Sequence, residues 1–212
     1  MRDALRITWI TLQDWWNGMV GLASLNLLWL GLSLTGVLLP PATLGMYAVT
    51  NSIAHGKGQH LDDFLQAVRS YLWISLRWAL VNLLVGGVLF VNLTFYGAAD
   101  SPITMAIQLI LLGFSLLWIA MQFYIPPFLI EQEDKRLRLA LRNAAFLALA
   151  TPIYTLTLLF IAALVITLSL AAILPVAVFT MGFLSLLGNR ATIERLSTFG
   201  KLPSPSLENR YE

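Results

Sequence analysis

The sequence predicts an all-α fold, a polytopic transmembrane helical bundle of five to six membrane segments. They are arranged as three helical hairpins with short amphipathic cytoplasmic helices. Three observations lead there. From Thr151 to Gly188 the chain has no Asp, Glu, Lys, Arg or His. A bilayer core about 30 Å thick takes about 20 apolar residues per helical crossing, so this stretch suffices for two. Hydrophobic residues make up 58% of the 212 and charged ones 11%, with a mean hydropathy of +0.77, outside the range of soluble domains. Finally, the basic residues cluster in alternate polar segments, as the positive-inside rule demands of a protein that crosses repeatedly.

The elements follow in order. Residues 1–16 form an interfacial amphipathic helix, because Leu5, Trp9, Leu12 and Trp16 share one helical face while Arg2, Arg6, Gln13 and Asp14 are polar. Arg2 and Arg6 precede an apolar run, as in a signal peptide. The run from Asn17 to Leu39 is too long for a signal core, however, and no small-x-small cleavage site follows it. It is read as a retained first span at about 17–39. A shorter apolar stretch follows Pro40-Pro41 and ends at His55-Gly-Lys-Gly-Gln-His60.

From Leu61 a second amphipathic helix places Leu61, Phe64, Leu65, Val68 and Leu72 on one face, and Asp62, Asp63, Gln66 and Arg69 on the other. It runs into a span from about Trp73 to Gly97. A turn at Asp100-Ser-Pro102 leads to a span from Ile103 to about Phe128. Glu131 to Arg142 is the most charged stretch, and Glu131–Lys135 and Asp134–Arg138 have the spacing of helical ion pairs. The last apolar run divides at Leu174-Pro175. Residues 189–199 are expected to carry the last helix into water. Residues 1–199 form a single integral membrane domain, and 200–212 is expected to be a disordered cytoplasmic tail.

Sidedness follows from the cations. Lys57, Arg69 and Arg77 lie in one polar segment, Lys135, Arg136, Arg138 and Arg142 in another, and Arg190, Arg195, Lys201 and Arg210 towards the C-terminus. The turns at Asp100 and Pro175 have none, so they fall outside. If 40–54 crosses, all 13 basic residues are inside and the chain is three hairpins with both termini cytoplasmic. If it does not, there are five spans. Pro41 to Ala54 would extend only about 21 Å as a helix, so the segment is short, tilted or re-entrant.

Catalytic chemistry is sparse. The chain has no cysteine, no P-loop, no HExxH and no GxSxG, and no membrane-embedded histidine to serve a serine as base. His55 and His60 near Asp62 and Asp63 are separated by two glycines, so no fixed spacing presents them to a metal. No ionisable residue falls deep in a proposed span, which counts against proton-coupled transport and aspartyl chemistry. No enzyme activity, cofactor or metal is expected, and a net charge of +2 is too small to imply nucleic acid.

The polar residues inside the spans are the amides Asn26, Asn82, Asn92, Gln108 and Gln122, either interhelical hydrogen bonds or the lining of a solute path. Reversal at Asp100–Pro102 would put Asn92 level with Gln108 and Asn82 level with Gln122. Pairing within this hairpin would spare a lone amide in hydrocarbon. Ala140, Ala144 and Ala148, and likewise Gly182, Ser185 and Gly188, are small faces expected to mark close helix packing. With three acids against four bases, the 131–142 segment would attract anionic lipid only weakly.

Asn26-Leu-Leu-Trp29, then Pro40-Pro-Ala-Thr43 and Tyr47-Ala-Val, with Phe64 in the following amphipathic stretch and Asn189-Arg190-Ala191 near the end, resemble the YesL-like family. This is a family of small bacterial multi-pass membrane proteins without an established function. The resemblance implies the bacterial inner membrane. Members are often encoded beside carbohydrate uptake systems, which points to transport without assigning a catalytic residue. The expected function is therefore a non-enzymatic accessory or assembly partner of a transport system. Asp62, Asp63, Arg69, Lys135, Arg138 and Arg142 form the expected docking surface for a transporter subunit. The alternatives are a small-solute permease or channel lined by the amides, and a lipid-interacting scaffold.

Overall fold

The computed structural model describes residues 1–58, 60–98 and 101–201. Among them there are ten helices and no strand: α1 (Arg2–Asn17), α2 (Met19–Ser33), α3 (Leu39–Ala54), α4 (Leu61–Ser70), α5 (Leu72–Gly97), α6 (Pro102–Glu131), α7 (Leu137–Ala150), α8 (Pro152–Ala172), α9 (Leu174–Val178) and α10 (Thr180–Thr198). The expected turn at Asp100 and the tail beyond Lys201 lie outside the described residues. Three helices are long and apolar enough to cross a membrane: α5, α6 and α8. The apolar α2 is shorter, at 15 residues.

Proline punctuates the helices as its missing N–H requires. Pro40 and Pro41, Pro102, Pro152 and Pro175 all stand in first turns, where no intrahelical donor is needed. Pro126 and Pro127 are the exception, lying inside α6. Neither can donate to the carbonyl one turn back. The carbonyl oxygen of Phe123, left without Pro127 as donor, lies against Gly188 of α10.

The core is assembled around α3 and α10. Met181 to Ile193 is buried except for the half-buried Leu184, packed against α3, α1, α6 and α2. This corrects the expectation that residues 189–199 extend into water: Asn189 to Ile193 are buried, and only Thr198 onwards is exposed. The small face of α10 is the reason. A Cβ on Gly188 would stand 3.0 Å from the Tyr47 ring and 3.3 Å from the Phe123 carbonyl, so α3 and α6 approach only because that atom is missing. Gly45 does the same for α4, where a Cβ would come within 2.8 Å of Val68. On α7, Ala140, Ala144 and Ala148 are buried, and α6 is the helix that α7 packs on most heavily. Both small faces serve internal packing.

The outer surface is the inverse of a soluble protein's. On α5, Leu80, Leu83, Leu84, Val88, Phe90, Val91 and Phe95 are exposed, and only Ser75 is buried. The first half of α6 is similarly bare, whereas Ala120 to Leu129 contributes heavily to the core. An apolar exterior of this extent marks contact with lipid.

On α1, Ala4, Ile7, Thr11 and Trp15 face the bundle, while the stripe Leu5, Trp9, Leu12 and Trp16 is turned outwards. One correction concerns the charged stretch. The chain leaves the helix after Glu131 and re-enters at Leu137, so the helical pairs Glu131–Lys135 and Asp134–Arg138 do not exist. The reversal that lets α7 dock its alanines on α6 has to fall there. Glu131 instead bonds His55 and Asn51, and Asp134 pairs with Arg136.

Candidate functional site

Three polar clusters tie the helices together. The first involves Asn26, which is fully buried. Its amide Nδ2 donates to the carbonyls of Val176 and Ala177, both at 2.8 Å, and its Oδ1 accepts from the backbone N–H of Gly182 at 2.8 Å. These backbone groups flank the break at Phe179 between α9 and α10. Irregular backbone within an apolar bundle needs such partners, and one side chain on α2 supplies them. Just before α9 the chain reverses at Ile173, whose φ of 59° is the only positive value at a non-glycine among the described residues.

The second cluster closes the α5–α6 hairpin. Trp78 donates through its indole N–H to Gln122 Oε1 at 2.9 Å, and Trp118 donates to Asn82 Oδ1 at 3.2 Å. Each amide donates back along its own helix, Asn82 to the Trp78 carbonyl and Gln122 to the Trp118 carbonyl. Both helices carry a Trp followed four residues on by an amide, so two antiparallel copies of one motif interlock. The depth match of Asn82 with Gln122 therefore operates through tryptophan, a partner that amide counting alone misses. The other expected pair is not formed. Asn92 donates to the Val88 carbonyl of its own helix at 2.8 Å, and Gln108 lies against Gly97.

The third cluster lies around α10. Asn189 donates to the Tyr47 carbonyl at 2.8 Å and to Thr50 Oγ1 at 3.0 Å. Asn51 reaches Glu131 Oε1 at 2.5 Å, and His55 Nε2 lies 2.7 Å from the same oxygen. The ends of α3 and α6 are thus tied together beside α10. On the opposite flank α1 docks antiparallel, with Asp3 paired to Arg195, Arg6 to Glu194 and Asp14 to Arg190. Arg195 also stacks 3.7 Å from the centre of the Tyr154 ring. Arg190 has only 5% of its side chain exposed. A buried charge was not expected in any span, and α1 is what provides its counter-ion.

The charged residues singled out for docking are elsewhere and outward. Asp62, Asp63, Arg69, Lys135, Arg138 and Arg142 are all exposed. Lys135 Nζ sits 4.1 Å above the centre of the Tyr71 ring at the end of α4. That contact joins two segments far apart in sequence into one surface. Nearby, a cleft of about 360 Å³ opens between α6, α7 and the end of α10, with Phe128, Phe146 and Phe199 on its walls and Glu131 and Asn143 among its polar lining. No group of three or more His, Asp or Glu suited to a metal occurs among the described residues.

An all-helical chain with three membrane-length apolar helices, a lipid-facing exterior and an internally bonded polar core defines the class: a helical membrane protein. Residues 22–93 match the family described as "Protein of unknown function, DUF624", the YesL-like family. The match takes in most of α2, all of α3 and α4 and most of α5, with Asn26, Tyr47, Asn51, Trp78 and Asn82. The partners Trp118, Gln122, Glu131 and the Asn189-Arg190 pair lie beyond it. No curated protein and no solved structure matches the chain.

Proposed function

We propose that this protein is a non-enzymatic accessory or assembly partner of a transport system in a bacterial inner membrane, docking through the surface that α4 and the start of α7 share. One observation carries the reading. Asn26, Asn82 and Gln122, which a permease would need along a solute path, are engaged in bonds that hold helices together. The charged docking residues point outwards, and Asp62, Asp63, Arg69, Arg138 and Arg142 have no ion pair among the described residues. In this reading the three hairpins are α2–α3, α5–α6 and α8 with α9–α10, giving six membrane segments with both termini cytoplasmic. The 16 residues of α3, about 24 Å long, are shielded by α4, α10 and α6.

Co-purification in mild detergent tests the function. A stoichiometric membrane transporter, lost on charge reversal at Asp62 and Asp63, is the expected result. Solute flux through liposomes that contain this protein alone would overturn it. Topology is tested by single cysteines, since the chain has none of its own: position 3 should be protected from an impermeant thiol reagent outside, and position 36 labelled.

A further inference from the structure

We propose that Arg138 and Arg142 hold the phosphate of an anionic phospholipid from the surrounding bilayer, with an acyl chain lying along Phe146 and Leu149. The outward stripe of α7 carries the argument. Arg138, Arg142, Phe146 and Leu149 fall at i, i+4, i+8 and i+11, one face of a helix, and all four are exposed. The opposite face is the row Ala140, Ala144 and Ala148, buried against α6. Going from the loop into the bundle, the exposed stripe therefore changes from two cations to large apolar groups. On α8, the next helix in the chain, Ile153, Leu156 and Phe160 are exposed as well. A phospholipid has the same order of chemistry along its length.

The structure also changes the electrostatics that the bare sequence implies. Of the three acids from Glu131 to Asp134, Glu131 is turned inwards to His55 and Asn51, and Asp134 is bound to Arg136 at 3.2 Å. Both Glu133 and Asp134 are exposed, and Glu133 is the acid of that loop without an ion pair among the described residues. Arg138 and Arg142 line an open groove together with Leu139 and the Asp134–Arg136 ion pair, and neither Arg138 nor Arg142 has an ion pair among the described residues. Guanidinium groups one helical turn apart present planar donor forks suited to phosphate oxygens. A soluble anion would use the arginines and make no use of the exposed Leu149 or of Phe146, whose ring also faces Phe199 across the cleft.

This inference does not rest on the accessory reading, but it assigns Arg138 and Arg142 to lipid and so leaves Asp62, Asp63, Arg69 and Lys135 as the surface for a protein partner. The test uses the purified full-length chain alone, in nanodiscs of phosphatidylcholine containing a minor fraction of phosphatidylglycerol, with lipid retention read by native mass spectrometry. Wild type should keep phosphatidylglycerol after release from the disc. The Arg138→Gln/Arg142→Gln variant should retain about tenfold less. The control Arg2→Gln/Lys57→Gln, with the same loss of charge at other exposed sites, should match wild type. Phe146→Ser/Leu149→Ser should also lower retention. Equal losses in the arginine variant and the control would overturn the proposal. Displacement of the lipid by millimolar inorganic phosphate, with no effect of the Phe146/Leu149 variant, would overturn it in favour of a soluble anion.

Discussion

A methyl group added at Gly86 or Gly87 of α5 would meet nothing within 4 Å, whereas at Gly188 of α10 it would strike the Tyr47 ring and the Phe123 carbonyl. All three glycines lie inside long helices, and the difference is one of surroundings. The α5–α6 hairpin is a lipid-facing element over most of α5 and the first half of α6, and joins the core through the buried second half of α6. The α3–α10 centre is surrounded by protein. In the hairpin, Trp78, Asn82, Trp118 and Gln122 bond only to one another and to their own helices. In the centre, Asn26, Asn189 and Arg190 each bind a neighbouring helix. The comparison teaches that in this protein the more apolar helices are the outer ones, and polar residues mark the interior.

The largest effect expected from that contrast is at the ion pair. Asp14→Leu leaves Arg190 buried without its carboxylate, which should cost about 3–5 kcal/mol, read as a fall in thermal stability in detergent. Asp14→Leu combined with Arg190→Met should recover most of the loss. A single variant as stable as wild type would show that the charge is not held in the interior.

Next is a comparison of amides. Asn26→Leu removes the partner of two carbonyls and one N–H at the α9–α10 break, and should cost about 3 kcal/mol. Asn92→Leu removes only a bond to its own helix and should be within about 0.5 kcal/mol of neutral. Equal effects would erase the distinction between core and hairpin.

The glycines give a smaller effect with opposite signs. Gly188→Ala should destabilise by about 1–3 kcal/mol through overpacking, because a backbone carbonyl and a hemmed-in ring cannot both yield. Gly86→Ala should raise stability by up to about 1 kcal/mol, the helix preference for alanine. A stabilised Gly188→Ala would mean that α10 is less tightly held than its contacts state.

The smallest effect concerns the hairpin clasp. Trp118→Phe keeps an aromatic side chain, though a smaller one, and loses the N–H to Asn82, whose hydrogen bond is worth about 0.6–1.5 kcal/mol. The double variant with Trp78→Phe tests whether the two copies of the motif are coupled. Strict additivity would show that each bond acts alone.

Much of this was legible in the chain. Absence of charge between Thr151 and Gly188, the apolar runs ending in α6 and α5, and proline at helix starts all follow from the cost of burying charge or an unpaired backbone group in hydrocarbon. Those constraints act on each segment by itself, so no tertiary knowledge is needed. Helix α4 was likewise legible from its period, although the structure bends the chain at Tyr71 before α5. The small faces of α7 and α10 announced close packing because only small residues let helix backbones approach.

Partnerships were decided by the tertiary structure. Glu131 looked like a helical partner of Lys135, but the reversal after it places the carboxylate beside His55, from a segment 76 residues earlier. Asn26 looked like a helix–helix amide and proved to serve the broken backbone of α9 and α10, some 150 residues away. Asn92 and Gln108 matched in depth and did not meet, while Asn82 and Gln122 met through tryptophans that have an apolar reading in any hydropathy count. Arg190 looked like the end of a helix leaving the membrane, yet it is buried because α1 folds back and brings Asp14 to it. Depth and face are set by the 1.5 Å rise and 100° turn of each helix, and the sequence determines them alone. Which helix stands opposite is set by packing across the bundle, which depends on every side chain between.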